Sequence, residues 1–389
     1  MTDTAARPRA KTHPRTRLKL RSAGAKRSVF LMVIVAMLLT IGLGAMLSAS
    51  SVISIKASSD QFELFTRQLM WVGLGLGALV VASFVPFTFW QRIALPLYAA
   101  TVVGLVVTVV VGDTRGGATR WIEVGPITIQ VAEFAKFSAL SLLAAALTKK
   151  GDLLDSLGHV IAPVIAILGS AALLLLAQPD FGNLLLIVVP AFVMLAASTV
   201  PLRFVFALGA TGALAMTALA MSADYRKARL LGFMDPFANA QGSGLQAVQS
   251  MVALGTGGLF GVGLGQSRAR WSWLPNAHTD FIFAIIGEET GFAGAAIVVT
   301  LFALLAAVGV SIAFRAPGGY GRLLAIGIVS WLTIQALVNI GGVVAVLPIT
   351  GVPLPFISNG GNAMLVNLFA IGVLLNISRA SDEQPEATS

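Results

Sequence analysis

Ten stretches of about twenty apolar residues run through the 389-residue chain, each long enough to cross the roughly 30 Å hydrocarbon core of a bilayer. They lie at about 29–48, 68–86, 93–112, 131–148, 159–177, 183–199, 204–222, 280–313, 322–345 and 363–378. The eighth is long enough to tilt or to project beyond the membrane. Only 11% of the residues are charged, against roughly 25% in soluble domains, while 57% are hydrophobic. Such a chain hides its exterior in lipid. The expected fold is an all-α polytopic membrane protein of about ten transmembrane helices, which excludes a soluble enzyme or a nucleic-acid binder.

The net charge of +9 acquires a different meaning once it is mapped. Nine basic residues crowd the first 28 positions, from Arg7 to Arg27. With that tail in the cytoplasm, Arg92, Lys149, Lys150, Arg203, Arg315, Arg322 and Arg379 also fall on the inner side. The short outer loops hold only Lys56, Arg67, Arg115 and Arg120. This bias places both termini inside. The tail is expected to serve topology and attraction to anionic membrane lipids, with a dedicated partner-binding role as the alternative, and no basic-aromatic interleaving suggests nucleic acid. The chain divides into a basic cytoplasmic tail (1–28), a transmembrane domain (29–380) with one large extracytoplasmic loop between helices 7 and 8 (about 223–279), and a second cytoplasmic tail (381–389).

No cysteine is present, so disulfides and thiolate chemistry are excluded. No phosphate-cradling motif occurs in the cytoplasmic loops, so no nucleotide is expected. Inside the large outer loop, Leu245, Val248, Met251 and Val252 recur at helical spacing opposite Gln246, Gln249 and Ser250. This is an amphipathic helix lying on or dipping into the interface. The glycine-rich run from Gly255 to Gly265 follows; with no βαβ unit around it, it serves packing or a substrate groove. The last outer segment, Leu347–Ser358, is apolar yet carries Pro348, Pro353 and Pro355 and cannot be helical. Irregular backbone near membrane depth must be buried in protein or line a cavity.

Ionisable groups inside or at the ends of spanning helices are costly and mark sites. Glu133 and Lys136, three residues apart, share a helix face and form either a structural ion pair or a substrate contact. Asp280 opens the eighth helix, where the helix dipole alone could account for it. Around that helix Glu288 is displaced about 80° from Asp280, whereas Glu289 faces roughly the side opposite Asp280, so at least one of the two needs a partner in the bundle. Asp180 sits at an outer helix end. Arg120 and Trp121 occupy a short outer loop, Trp121 as an interface anchor and Arg120 as a fork suited to a diphosphate. Together these residues suggest an outward cavity for an amphipathic substrate with an anionic head.

Four long strings occur in order: Gly117-Ala118-Thr119-Arg120-Trp121-Ile122; Gln178-Pro179-Asp180-Phe181-Gly182; Leu274 to Ala284 with Glu288-Glu289; and Leu347 to Phe356. They resemble the SEDS (shape, elongation, division and sporulation) family of bacterial peptidoglycan polymerases across roughly residues 29–380. Ser48-Ala49-Ser50, Asp235-Pro236-Phe237 and Gly261 to Ser267 look more like the division type, FtsW, than the elongation type, RodA. Departures from the family pattern are Val131-Ala132, Asn183 for a usual Thr, Ala345 for a usual Gly and Asn362 for a usual Ser.

The resemblance implies a peptidoglycan glycosyltransferase that polymerises lipid II on the outer face of the cell membrane, at the division septum. It implies Asp280 as general base on the incoming sugar 4-hydroxyl. Arg120, with Lys136 or a divalent cation (Mg or Mn), would stabilise the departing diphosphate. Trp121 would line the entrance and Glu133 would orient Lys136, with Asp180, His278, Glu288 and Ser358 as further substrate-binding candidates. The implied partners are a class B penicillin-binding protein (a transpeptidase) and other divisome proteins. A lipid II flippase and a divisome scaffold are the alternatives from other classes.

Overall fold

The computed structural model describes residues 14–57, 62–115, 118–125, 127–150, 157–221, 232–240, 242, 244–268 and 279–381. The protein is a helical bundle with α1 (Pro14–Ala57), α2 (Glu63–Phe84), α3 (Phe87–Val111), α4 (Val131–Lys150), α5 (Leu157–Val164) and α6 (Ser170–Ala177). It continues with α7 (Phe181–Ala196), α8 (Leu202–Met221), α9 (Leu245–Gly257), α10 (Ile282–Arg315), α11 (Gly318–Val343) and α12 (Gly361–Ala380). A π-helical turn, Ile165–Gly169, joins α5 to α6 into one span. Among the described residues, nine helices are long and apolar enough to cross a membrane. The sixth of the ten expected segments is α7, whose 16 residues reach only about 24 Å. The ten segments therefore lie where the apolar runs placed them, and the chain is a multi-pass membrane protein.

The helices α4, α7, α11 and α12 form the interior, and most of the apolar stretches of α4 and α12 are buried. The remaining spans wrap around them, with α12 packed along α2 and α10 along both α1 and α11. At the periphery, α8 packs against α7 and buries none of its apolar stretch.

Two features depart from the sequence expectation. Residues 113–130, read as a loop, carry a three-stranded antiparallel sheet of β1 (Asp113–Arg115), β2 (Ala118–Val124) and β3 (Ile127–Ile129). Its Thr, Ile and Val residues favour a pleated surface, and Gly125 takes the positive φ of 62° at the β2–β3 turn. The second concerns the long eighth span, which is broken rather than continuous. Gly291 (φ 68°, ψ −166°) interrupts α10, and the glycine-rich loop after α9 docks into the gap. Val262 and Gly263 donate to the carbonyls of Glu288 and Glu289, while Phe292 and Ala293 donate to those of Gly258 and Leu259. These four bonds satisfy backbone that the break would otherwise strand in an apolar setting.

The expected helix in the large loop is α9, and it docks through its small residues. Ala247, Ser250, Ala253 and Gly257 are buried against α10 and α11, and Ser250 Oγ donates to Val343 O at 2.8 Å. Small side chains permit that close approach. Val252, on the bulky face, points outward and is 52% exposed.

Candidate active site

A cleft of about 250 Å³ opens at the end of the bundle that carries the small sheet. Arg120 and Trp121 enter it from β2, Glu133 from the first turn of α4, Asp180 from the turn before α7, and Asp280 from the turn before α10. The remaining wall is Gly351–Pro353 and the start of α12. Sequence alone placed Asp280 at the helix start; α10 begins two residues later, at Ile282.

Each polar wall is locally held. Asp180 caps α7, with Asn183 N donating to Oδ1 at 3.3 Å and Asn183 Nδ2 to Oδ2 at 2.8 Å. Arg120 donates to Pro179 O and lies 3.9 Å from Asp180 Oδ2, which ties the sheet to α7. Asn362 Nδ2 donates to Thr128 O at 2.8 Å and ties β3 to α12. Gly182 lets the 347–358 segment come close, because a Cβ there would sit 2.7 Å from Val352 Cγ1.

That proline-containing segment is irregular, as its sequence requires, and its apolar side chains Val352, Leu354, Phe356 and Ile357 are buried. Side chains satisfy its backbone. Gln335 Nε2 donates to Pro353 O and Asn339 Nδ2 to Val352 O, each at 2.8 Å, while Gln68 Nε2 donates to Ser358 O at 3.3 Å. Buried irregular backbone needs such partners.

Residues 29–383 match the cell cycle protein family of FtsW, RodA and SpoVE. The chain belongs to this family. Stage V sporulation protein E of Bacillus subtilis (strain 168) is 39% identical over 355 residues, spanning 91% of this chain and 97% of that protein. A probable peptidoglycan glycosyltransferase FtsW of Coxiella burnetii is 40% identical over 347 residues, spanning 88% and 93%. Among solved structures, a chain from work on polymerization and crosslinking by a peptidoglycan synthase complex superimposes with a TM-score of 0.74 at 28% identity. It covers 91% of this chain and 98% of that one. Thermus thermophilus RodA superimposes with a TM-score of 0.65 at the same identity, over 91% and 97%.

Of the candidate residues, the fold gathers Arg120, Trp121, Glu133, Asp180 and Asp280 around one cleft. Lys136 is not on its wall. It is wholly buried one turn below, 2.7 Å from Glu133 Oε2, 3.4 Å from Gln335 Oε1 and 5.0 Å from the centre of the Trp331 ring. Of the two possibilities left by sequence, the structure shows the ion pair.

Glu288 also lies away from the cleft. Its carboxylate accepts from Ser267 Oγ at 2.5 Å and Arg268 N at 3.1 Å, locking the glycine-rich loop onto α10. Glu289, on the other side, accepts from Ser48 of α1, so both carboxylates have partners. Ser358 is buried and its Oγ accepts from Leu354 N at 2.8 Å, an internal brace of the last loop. His278 lies outside the described residues, as do residues 1–13 and 382–389 of the two tails.

Sequence reasoning passed over Gln130, Asn359, Gln335 and Asn339. Gln335 and Asn339 were visible as two amides one turn apart inside an otherwise apolar span. Two of the family departures, Asn183 and Asn362, are themselves cleft residues whose amides brace its walls. Among the described residues no group of three or more His, Asp or Glu side chains converges as a metal cage. Asp180 is engaged as a cap and Glu133 by Lys136.

Proposed function

We propose that the chain is a peptidoglycan glycosyltransferase that polymerises lipid II into glycan strands on the outer face of the cytoplasmic membrane. The observation that carries this reading is the cleft that Asp280, Arg120 and Trp121 line together. The family relatives named as glycosyltransferases support it. In the reaction, Asp280 takes the proton from the acceptor sugar's 4-hydroxyl. The freed oxygen forms a bond to C1 of the donor sugar. The bond from C1 to the diphosphate oxygen breaks, and the lipid diphosphate departs with the electron pair. A positioned carboxylate base contributes about 10²–10⁴-fold.

Arg120 faces the departing diphosphate, and its fork, already oriented by Pro179 O and Asp180, is preorganised for that charge. Trp121 flanks the sugar or the lipid stem. Lys136 acts at one remove by fixing the Glu133 carboxylate in the wall. Were Mg or Mn bound, the cleft carboxylates Asp180 and Asp280 would be the groups to hold it, and it would supply charge neutralisation at the diphosphate; none of these steps depends on it.

The division-type features of the sequence favour a role at the septum over elongation. A crosslinking partner, a class B penicillin-binding protein, fits the likeness to the synthase complex, with other divisome proteins around it.

The test is lipid II polymerisation by the purified chain with its transpeptidase, wild type beside Asp280→Asn, read as glycan ladders on a gel. Ladders from the wild type and none from a folded, membrane-inserted Asp280→Asn are expected. Ladders from both would remove Asp280 as the base. Ladders from neither, with partner and divalent cation supplied, would favour the flippase if labelled lipid crosses vesicles and the scaffold if it does not.

A further inference from the structure

We infer that Asn339 is a positioning residue for the reaction, an amide clamp that fixes the Asp280 turn against the last loop; the inference rests on the function proposed above. The 2.8 Å bond to Val352 O uses one N–H of its side-chain amide. The other is donated to Asp280 O, also at 2.8 Å. One Nδ2 thus joins two backbone segments about 70 residues apart, and both line the cleft. The amide's orientation follows from chemistry, because a flipped amide would aim its oxygen at two carbonyls. Asn339 is 5% exposed and Oδ1 has no hydrogen-bond partner. The amide therefore sits buried with half its capacity unused, and its two N–H bonds are what it contributes.

Gln335, one turn earlier on α11, provides an internal comparison. It donates to Pro353 O of the same loop, but its other contacts are Trp331 and Lys136, not the Asp280 turn. Gln335 therefore holds the loop alone, whereas Asn339 holds the loop and Asp280 together. Asp280 precedes α10 and its carbonyl is two residues short of the helix, so the Asn339 bond pins the turn from which the carboxylate projects. The carboxylate also closely borders the loop, since a Cβ on Gly351 would sit 3.5 Å from Asp280 Oδ2. A displacement of about 1 Å at a reacting group can cost 10²-fold in rate.

The experiment measures initial rates of lipid II polymerisation against lipid II concentration for the chain with its transpeptidase. Wild type, Asn339→Ala, Gln335→Ala and Asp280→Asn are compared, with thermal midpoints in detergent for each. Asn339→Ala is expected to lower kcat by about 30-fold or more while KM moves by no more than about threefold, because binding groups stay and only the base is displaced. Gln335→Ala is expected to raise KM or lower the midpoint more than it lowers kcat. Should Asn339→Ala fail to fold, Asn339→Ser, whose shorter side chain has a single O–H and cannot hold both carbonyls, is expected to fold with kcat between the extremes. An unchanged kcat in the Asn339 variants, or equal kcat losses at Asn339 and Gln335, would overturn the inference. A wild type that makes no polymer would overturn it together with the proposed function, and that outcome is distinct because Asp280→Asn would then match wild type.

Discussion

At the residue scale, the most consequential side chain outside the cleft is Lys136. An ammonium with no exposed surface survives only because Glu133 neutralises it at 2.7 Å, Gln335 accepts from it and Trp331 offers its ring face. Removing one partner of a buried pair leaves the other charge stranded. Lys136→Met is therefore expected to cost about 3–5 kcal/mol and to appear as loss of folded protein in detergent. Glu133→Gln/Lys136→Met, which removes both charges, is expected to recover most of the folded yield but not the full rate, because Glu133 also lines the cleft. Full recovery of polymerisation would make the pair purely architectural. The spacing of Glu133 and Lys136 was legible in the sequence, as was the choice between pair and substrate contact. Which of the two holds was not, because Trp331 and Gln335 lie about 200 positions away. Ala345 presents the opposite case, a departure from the family pattern whose consequence only the fold reveals. It holds φ at 55°, a conformation that costs a residue with a Cβ about 1 kcal/mol and costs glycine almost nothing. Ala345→Gly is expected to raise the thermal midpoint without altering KM.

At the scale of elements, the break in α10 shows how sequence and structure divide the information. The glycine-rich run and the overlong eighth span were both visible, about 15 residues apart. Their relation was not, because it is made of backbone hydrogen bonds between loop and helix, which side-chain periodicity does not encode. Gly261 decides whether the junction closes. Its φ is 82°, and a Cβ there would collide with the carbonyl of Glu289. Gly261→Ala is expected to destabilise strongly and to open α10 to amide exchange around Glu288–Ala293. Gly255, only six residues earlier, lies inside α9 with nothing within 4 Å of the place a methyl group would occupy, so Gly255→Ala is expected to stabilise by about 0.5–1 kcal/mol. Similar responses at both positions would mean that the loop does not fill the break. The small sheet escapes sequence reading for a related reason: strands of three to seven residues between glycines are too short for their alternation to stand out from a loop. Arg120 was nevertheless legible as a cleft residue, because its charge was anomalous for its place in the chain, whereas Trp121 read as an interface anchor until the family resemblance put it at the entrance.

At the scale of the whole molecule, the cleft and the mechanism require one orientation in the bilayer. The orientation expected from the count of basic residues puts the basic tail, Arg92, Lys149, Arg203, Arg315, Arg322 and Arg379 inside, and the sheet, α9 and the last loop outside. The fold adds a consistency that charge counting lacks, since Arg120, Asp180, Asp280 and the 347–358 segment meet in one cleft and so must share one face. The absence of cysteine makes this orientation directly measurable, because any introduced thiol is the sole one in the chain. Asn239, in the large loop, and Arg322, near the start of α11, are both exposed. In right-side-out vesicles, a membrane-impermeant maleimide is expected to label Asn239→Cys at once and Arg322→Cys only after detergent is added. The reverse pattern would put the Asp280 cleft in the cytoplasm. Polymerisation on the outer face would then be impossible for this chain, however well Asp280 and Arg120 are placed for the chemistry.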